Sequence, residues 1–102
     1  MSERRRLSNR RHAETFELEI AGLHYTVTIG RFSDGSPAEI FLTNGKAGSD
    51  SDTAARDSAV VASIALQYGA PLDVIRHALM RNRDGSASGP LARALDLISE
   101  AL

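Results

Sequence analysis

Between residues 16 and 29 apolar side chains recur at every second position, in two runs separated by a two-residue break. Phe16, Leu18 and Ile20 alternate with Glu17 and Glu19; Leu23, Tyr25, Val27 and Ile29 alternate with His24, Thr26 and Thr28. A period of two is the pattern of a β-strand with one buried face, because successive side chains leave a strand on opposite sides. Ala21-Gly22 between the runs reads as a hairpin turn. A chain with this feature must build an antiparallel sheet and find something apolar to lay on one side of it.

The rest of the sequence supplies a third strand and the covering elements. Ser33-Asp34-Gly35-Ser36-Pro37 is a turn by composition. A strand over 38–43 follows, placing Ala38, Ile40 and Leu42 on one face and Glu39, Phe41 and Thr43 on the other. A helix is expected from about Ser51 to Tyr68, with Arg56, Ser63 and Gln67 on one stripe, Val60 and Ile64 bordering it, and Ala54, Ser58, Val61 and Ala65 opposite. Apolar residues so widely spread imply a helix buried on more than one side. Gly69 suits the position just past its end, and Pro71 the first turn of a second helix carrying Leu72, Val74, Ile75, Ala78 and Leu79. After a loop over 84–89, Pro90 opens a last helix with Leu91, Ala94, Leu95, Ile98 and Leu102 at helical spacing. The expected fold class is α+β, a three-stranded antiparallel sheet with one face covered by about three helices.

At 102 residues there is room for one domain, in which roughly 60 to 70% of the unfolded surface can be buried. Fifteen residues are Ala and none is Trp, so the core relies on close backbone approach more than on large side chains. With no Cys, disulfides and thiol ligands are out of reach. The net charge of −1 hides a division. Arg4, Arg5, Arg6, Arg10 and Arg11 face only Glu3 in the first twelve residues, while the remainder carries seven basic and twelve acidic groups. Residues 1–13 therefore read as a flexible arginine-rich arm, and residues 14–102 as a single acidic domain. No apolar run follows the arm, so neither a signal peptide nor a membrane span is expected, and the default location is cytoplasmic.

Little in the inventory supports catalysis. His12, His24 and His77 are scattered over an arm, a strand and a helix without paired ligands, so no metal or cofactor is expected. Ser36, Ser49, Ser58 and Ser63 have no triad context. Gly45, Lys46, Gly48 and Ser49 precede a helix start and form a candidate anion-binding loop, although Asp50 and Asp52 would repel a phosphate and a glycine turn into a capped helix explains the same residues. Ile64, Ala65, Gly69, Val74 and Ile75 also satisfy a helix-turn-helix pattern. In that alternative the 64–79 hairpin presents Arg76 and His77 to DNA or RNA while Arg4, Arg5, Arg6, Arg10 and Arg11 contact phosphates. A third candidate is the sheet face opposite the core: His24, Thr26, Thr28, Glu39 and Phe41 fall together there and suit contact with another protein.

From Ala38 to Leu79 four segments, AEIFL, GKAGSD, SIALQYG and PLDVIRHAL, occur in an order and spacing that resemble the TSCPD domain, a small domain near the C-terminal end of many cobalamin-dependent ribonucleotide reductases. GKAGSD is the most specific of them. The chain departs from that pattern in lacking the Thr-Ser-Cys-Pro-Asp motif and the Cys-rich tail, so no thiol or metal role carries over. It is also similar to short bacterial proteins with an arginine-rich start and a SGPL-type ending. The resemblance implies a non-catalytic binding or regulatory module that acts through protein association, with a ribonucleotide reductase or a second copy in a homodimer as partner. Reductase activity in isolation is excluded, because active-site cysteines and a radical-bearing barrel have no place in this chain.

Overall fold

In the computed structural model, which describes residues 3–101, the paired runs form β1 (Ala13–Ile20) and β2 (Leu23–Arg31). Ala21 and Gly22 turn between them with φ of 53° and 77°. Positive φ at both central residues matches the turn twist to that of the strands. The hairpin pairs Phe16 with Val27 and Leu18 with Tyr25, so the alternation of each run lands on the same face. β3 (Pro37–Thr43) joins the other side of β2, with Val27 opposite Leu42 and Ile29 opposite Ile40. Pro37 is the first residue of an edge strand, where a missing N–H costs no ladder bond.

α1 (Asp50–Gln67), α2 (Leu72–Ala78) and α3 (Pro90–Ala101) lie on the apolar face. The core joins Leu18, Tyr25, Val27, Ile29, Ile40 and Leu42 of the sheet to Ala55, Ala59, Ala62 and Leu66 of α1 and to Leu91, Ala94, Leu95 and Ile98 of α3. The alanines set the spacing: without Cβ branches, α1 approaches β3 closely enough for its longer polar side chains to reach the strand's backbone. The fold is the α+β arrangement expected from the period-two runs. Leu102 lies outside the described residues. Among those described, no helix is long and apolar enough to cross a membrane.

Two helical expectations are corrected. α1 is buried on one side: Val60, Val61 and Ile64 are exposed, Val61 to 68%. Part of its polar stripe instead faces inward. The Ser63 hydroxyl accepts the Ile40 N–H at 2.8 Å, with Ile40 O and Ala59 O as alternative acceptors for its own proton. Gln67 donates from Nε2 to Ala38 O at 3.1 Å. These side chains supply partners that a missing fourth strand would otherwise provide. In α2 no residue is fully buried; Leu72 and Ile75 lean on the core, as does Leu79 just beyond it, whereas Val74 is 62% exposed. Pro71 is the N-cap, one position earlier than expected.

Candidate interaction surface

The sheet has no helix on its second face, and its register assembles that face row by row. Ala13, Gly30 and Glu39 form one row; Thr15, Thr28 and Phe41 the next; Glu17, Thr26 and Thr43 a third; Glu19 and His24 close the far end. Cross-strand hydroxyls pair, with Thr15 and Thr28 oxygens 3.0 Å apart. Phe41 is 54% exposed at the centre of the β3 side. Around the β3 edge it meets Val60 and Ile64 of α1, and the three share a groove of about 280 Å³.

The two ends of this face differ in charge. At one end Arg11 Nε donates to Glu39 Oε1 at 2.6 Å, and Arg10 lies beside Phe41 and Glu39. Gly30 makes this possible: a Cβ there would stand 2.5 Å from Glu39 Oε1, so only glycine leaves room for the glutamate to lie across β2. A glycine inside a strand pattern is the signal that could have revealed this approach from sequence. At the other end, Glu17 and Glu19 are exposed, and His24 Nε2 stands 3.6 Å from Glu19.

The arm lies against the body. Arg4 Nε donates to Gln67 Oε1 at 2.7 Å, and the Arg5 N–H to Gln67 O at 2.6 Å. Arg5 also bonds Asp34 at 3.1 Å and stacks 3.9 Å over the Phe32 ring. Ser36, through its hydroxyl and then its N–H, and next Arg5, hold the Asp34 carboxyl down at about 2. Among the described residues Arg6 and Arg10 make no hydrogen bond or ion pair, so these two keep their charge available.

The other sequence candidates are placed as follows. Gly45, Lys46, Gly48 and Ser49 do form one loop at the start of α1, with φ of 80° and 82° at the two glycines. Ser49 caps the helix by accepting the Asp52 N–H, and Asn44 Oδ1 accepts the Lys46 N–H. Asp52 is buried. Its carboxylate takes the Asn44 N–H at 3.0 Å and Arg56 Nε at 2.8 Å, which lower its pKa in that order. The loop thus already holds an anion of its own. Arg76 is half-buried between Asp73 and Asp96, while His77 is exposed beside it. Asp96 also binds Arg81, the larger cause of its lowered pKa.

A three-stranded sheet with a packed face, an uncovered face and a docked basic arm defines a small α+β binding module. The TSCPD domain profile matches residues 3–102, and the chain belongs to that family. It is 39% identical over 72 residues to a vitamin B12-dependent ribonucleotide reductase of Rhodopirellula baltica, a stretch covering 71% of this chain and 7% of that protein. The enzymes of the same name from Agrobacterium fabrum and Bradyrhizobium diazoefficiens are 35% and 33% identical over 71 and 73 residues, covering 70% and 72% of this chain and 6% of each relative. The chain therefore corresponds to a small part of each of these relatives. No solved structure matches.

Proposed function

We propose that this ribonucleotide-reductase-related domain is a non-catalytic module that works by associating with another protein through its uncovered sheet face. The observation that carries the reading is Phe41, a large apolar residue left 54% exposed at the centre of a threonine-lined face. Its neighbours Val60 and Ile64 extend the apolar surface around the β3 edge. Exposed apolar residues grouped in this way mark contact surfaces more often than scattered ones do.

The partner is a ribonucleotide reductase or a second copy. The charge polarity of the face favours an antiparallel, two-fold pairing, because the Arg10 end of one copy then lies over the Glu17 and Glu19 end of the other. Light scattering on wild type and on Phe41→Ser, with cooperative unfolding confirmed for both, tests the reading. A dimer that the substitution converts to monomer, or a reductase captured by wild type and lost by the variant, supports it. A wild type that stays monomeric and captures the same proteins as Phe41→Ser after nuclease treatment removes it. Capture abolished by nuclease but not by the substitution points to nucleic acid held by the arm.

A further inference from the structure

The first turns of α1 and α3 meet a common hollow, and only one of them is capped. α1 begins with Ser49 accepting a first-turn N–H and with Asp50 and Asp52 against the positive end of its dipole. α3 begins at Gly89-Pro90, part of the SGPL segment, with no side chain in the capping position and no acidic residue in its first turn. Among the described residues the N–H groups of Leu91 and Ala92 have no acceptor; the first N–H of α3 that finds one is that of Arg93, bonded to Gly89 O at 3.1 Å. Both residues are buried, so bulk water does not readily take the place of a cap.

The hollow beside them has a volume of about 330 Å³. Its walls are small or apolar, with Ala54, Ala55, Leu79 and Met80 facing the α3 turn. Tyr25 completes the wall. The residue is only 4% exposed, yet its hydroxyl has no hydrogen-bond partner among the described residues. Nor is that oxygen sealed away, since no fully buried side-chain oxygen or nitrogen lacks a partner. A phenol in a core usually finds a partner, and this one keeps its donor free toward the pocket.

We infer that this pocket binds a small monocarboxylic acid with an apolar, planar body, its carboxylate held by the Tyr25 hydroxyl and the uncapped N–H groups of Leu91 and Ala92. Three neutral donors converge where no charged side chain lines the wall. That arrangement suits one delocalised negative charge and not a phosphate dianion, which would call for a lysine or arginine. The alanine and leucine walls take the ring. Met80, 81% exposed at the rim, is flexible enough to close over it.

Phenylacetate and its neutral isostere phenylacetamide are the probes, with backbone amide resonances followed by NMR. Phenylacetate is expected to saturate and to shift the Leu91 and Ala92 amides most, with phenylacetamide binding about tenfold more weakly. Tyr25→Phe retains the ring and the core, and should weaken the acid about fivefold at unchanged melting temperature. Ala54→Leu fills the pocket from an exposed position and should abolish binding, which keeps the test decisive if Tyr25→Phe is unstable. Absence of saturable binding overturns the inference, as does equal affinity for acid and amide, or binding that survives both substitutions.

Discussion

The two edges of the sheet face the same problem, a row of unpaired backbone groups, and manage it differently. β3 is closed by side chains of α1: Ser63 engages Ile40, Gln67 engages Ala38, and Asp52 takes the Asn44 N–H just past the strand. β1 has no such cover; among the described residues no side chain from another element bonds its backbone, and Glu14, Glu17 and Glu19 are exposed along it. One edge is satisfied, the other is made unattractive to a like-charged strand. A new strand at β3 would have to displace existing hydrogen bonds, and two β1 edges brought together would set glutamates against one another. The comparison directs association away from the edges and toward the open face around Phe41.

The largest effect on stability is expected from opening the satisfied edge. Ser63→Ala removes the acceptor of the Ile40 N–H in a part-buried position, and should lower unfolding free energy by about 1 to 2 kcal/mol in urea titrations. Ser63→Thr, which restores the hydroxyl, should recover most of it. A cost near zero for the alanine variant would mean that water closes this edge as well as α1 does.

Acid should act on the same edge by a different route. Hydrogen bonds from the Asn44 N–H and then from Arg56 lower the Asp52 pKa from 3.8, so the folded protein holds this proton less tightly than the unfolded chain. The carboxylate therefore contributes stability above its unfolded value, and that contribution is lost as pH falls through the folded one. Asp34, Asp84 and Asp96 are lowered as well, so the whole protein should lose melting temperature below about pH 4. In Asp52→Asn the decline should be shallower and the neutral-pH melting temperature lower. Parallel curves for the two proteins would show that Asp52 does not hold the strand end.

This contrast between edges also explains which parts of the molecule were legible in the sequence. The strands were, because Tyr25, Val27, Ile40 and Leu42 obey a period set by local geometry alone. α3 was too, since Leu91, Ala94, Leu95 and Ile98 have no competing polar residue among them. α1 was misjudged because a serine turned to water and a serine closing a strand edge look the same on a helical wheel; only the partner distinguishes them. The outer face was readable as a set, His24, Thr26, Thr28, Glu39 and Phe41, from alternation. Its Arg11 contact and the Tyr25 pocket were not, because each depends on chain segments far apart in sequence coming together.

The smallest expected change in stability, and the sharpest test of the comparison, lies at β1. Glu17→Thr with Glu19→Thr keeps strand propensity and leaves the core face untouched, since both positions lie opposite Thr26 and His24 on the outer side. Unfolding free energy should move by less than about 0.5 kcal/mol, as for surface changes that break no specific contact. Association should change far more. Removing two charges from an edge with no covering side chains leaves a threonine-rich strand whose free N–H and C=O groups can pair with another copy. Light scattering against concentration should then show growing species that wild type lacks, and salt should promote the same species in wild type by screening its glutamates. If Phe41→Ser is added to this variant, edge-mediated growth should persist, because its contact is backbone to backbone. Disappearance of growth in the triple variant would place the association on the open face and not on the edge. Absence of growth in the double variant would mean that something other than charge protects β1.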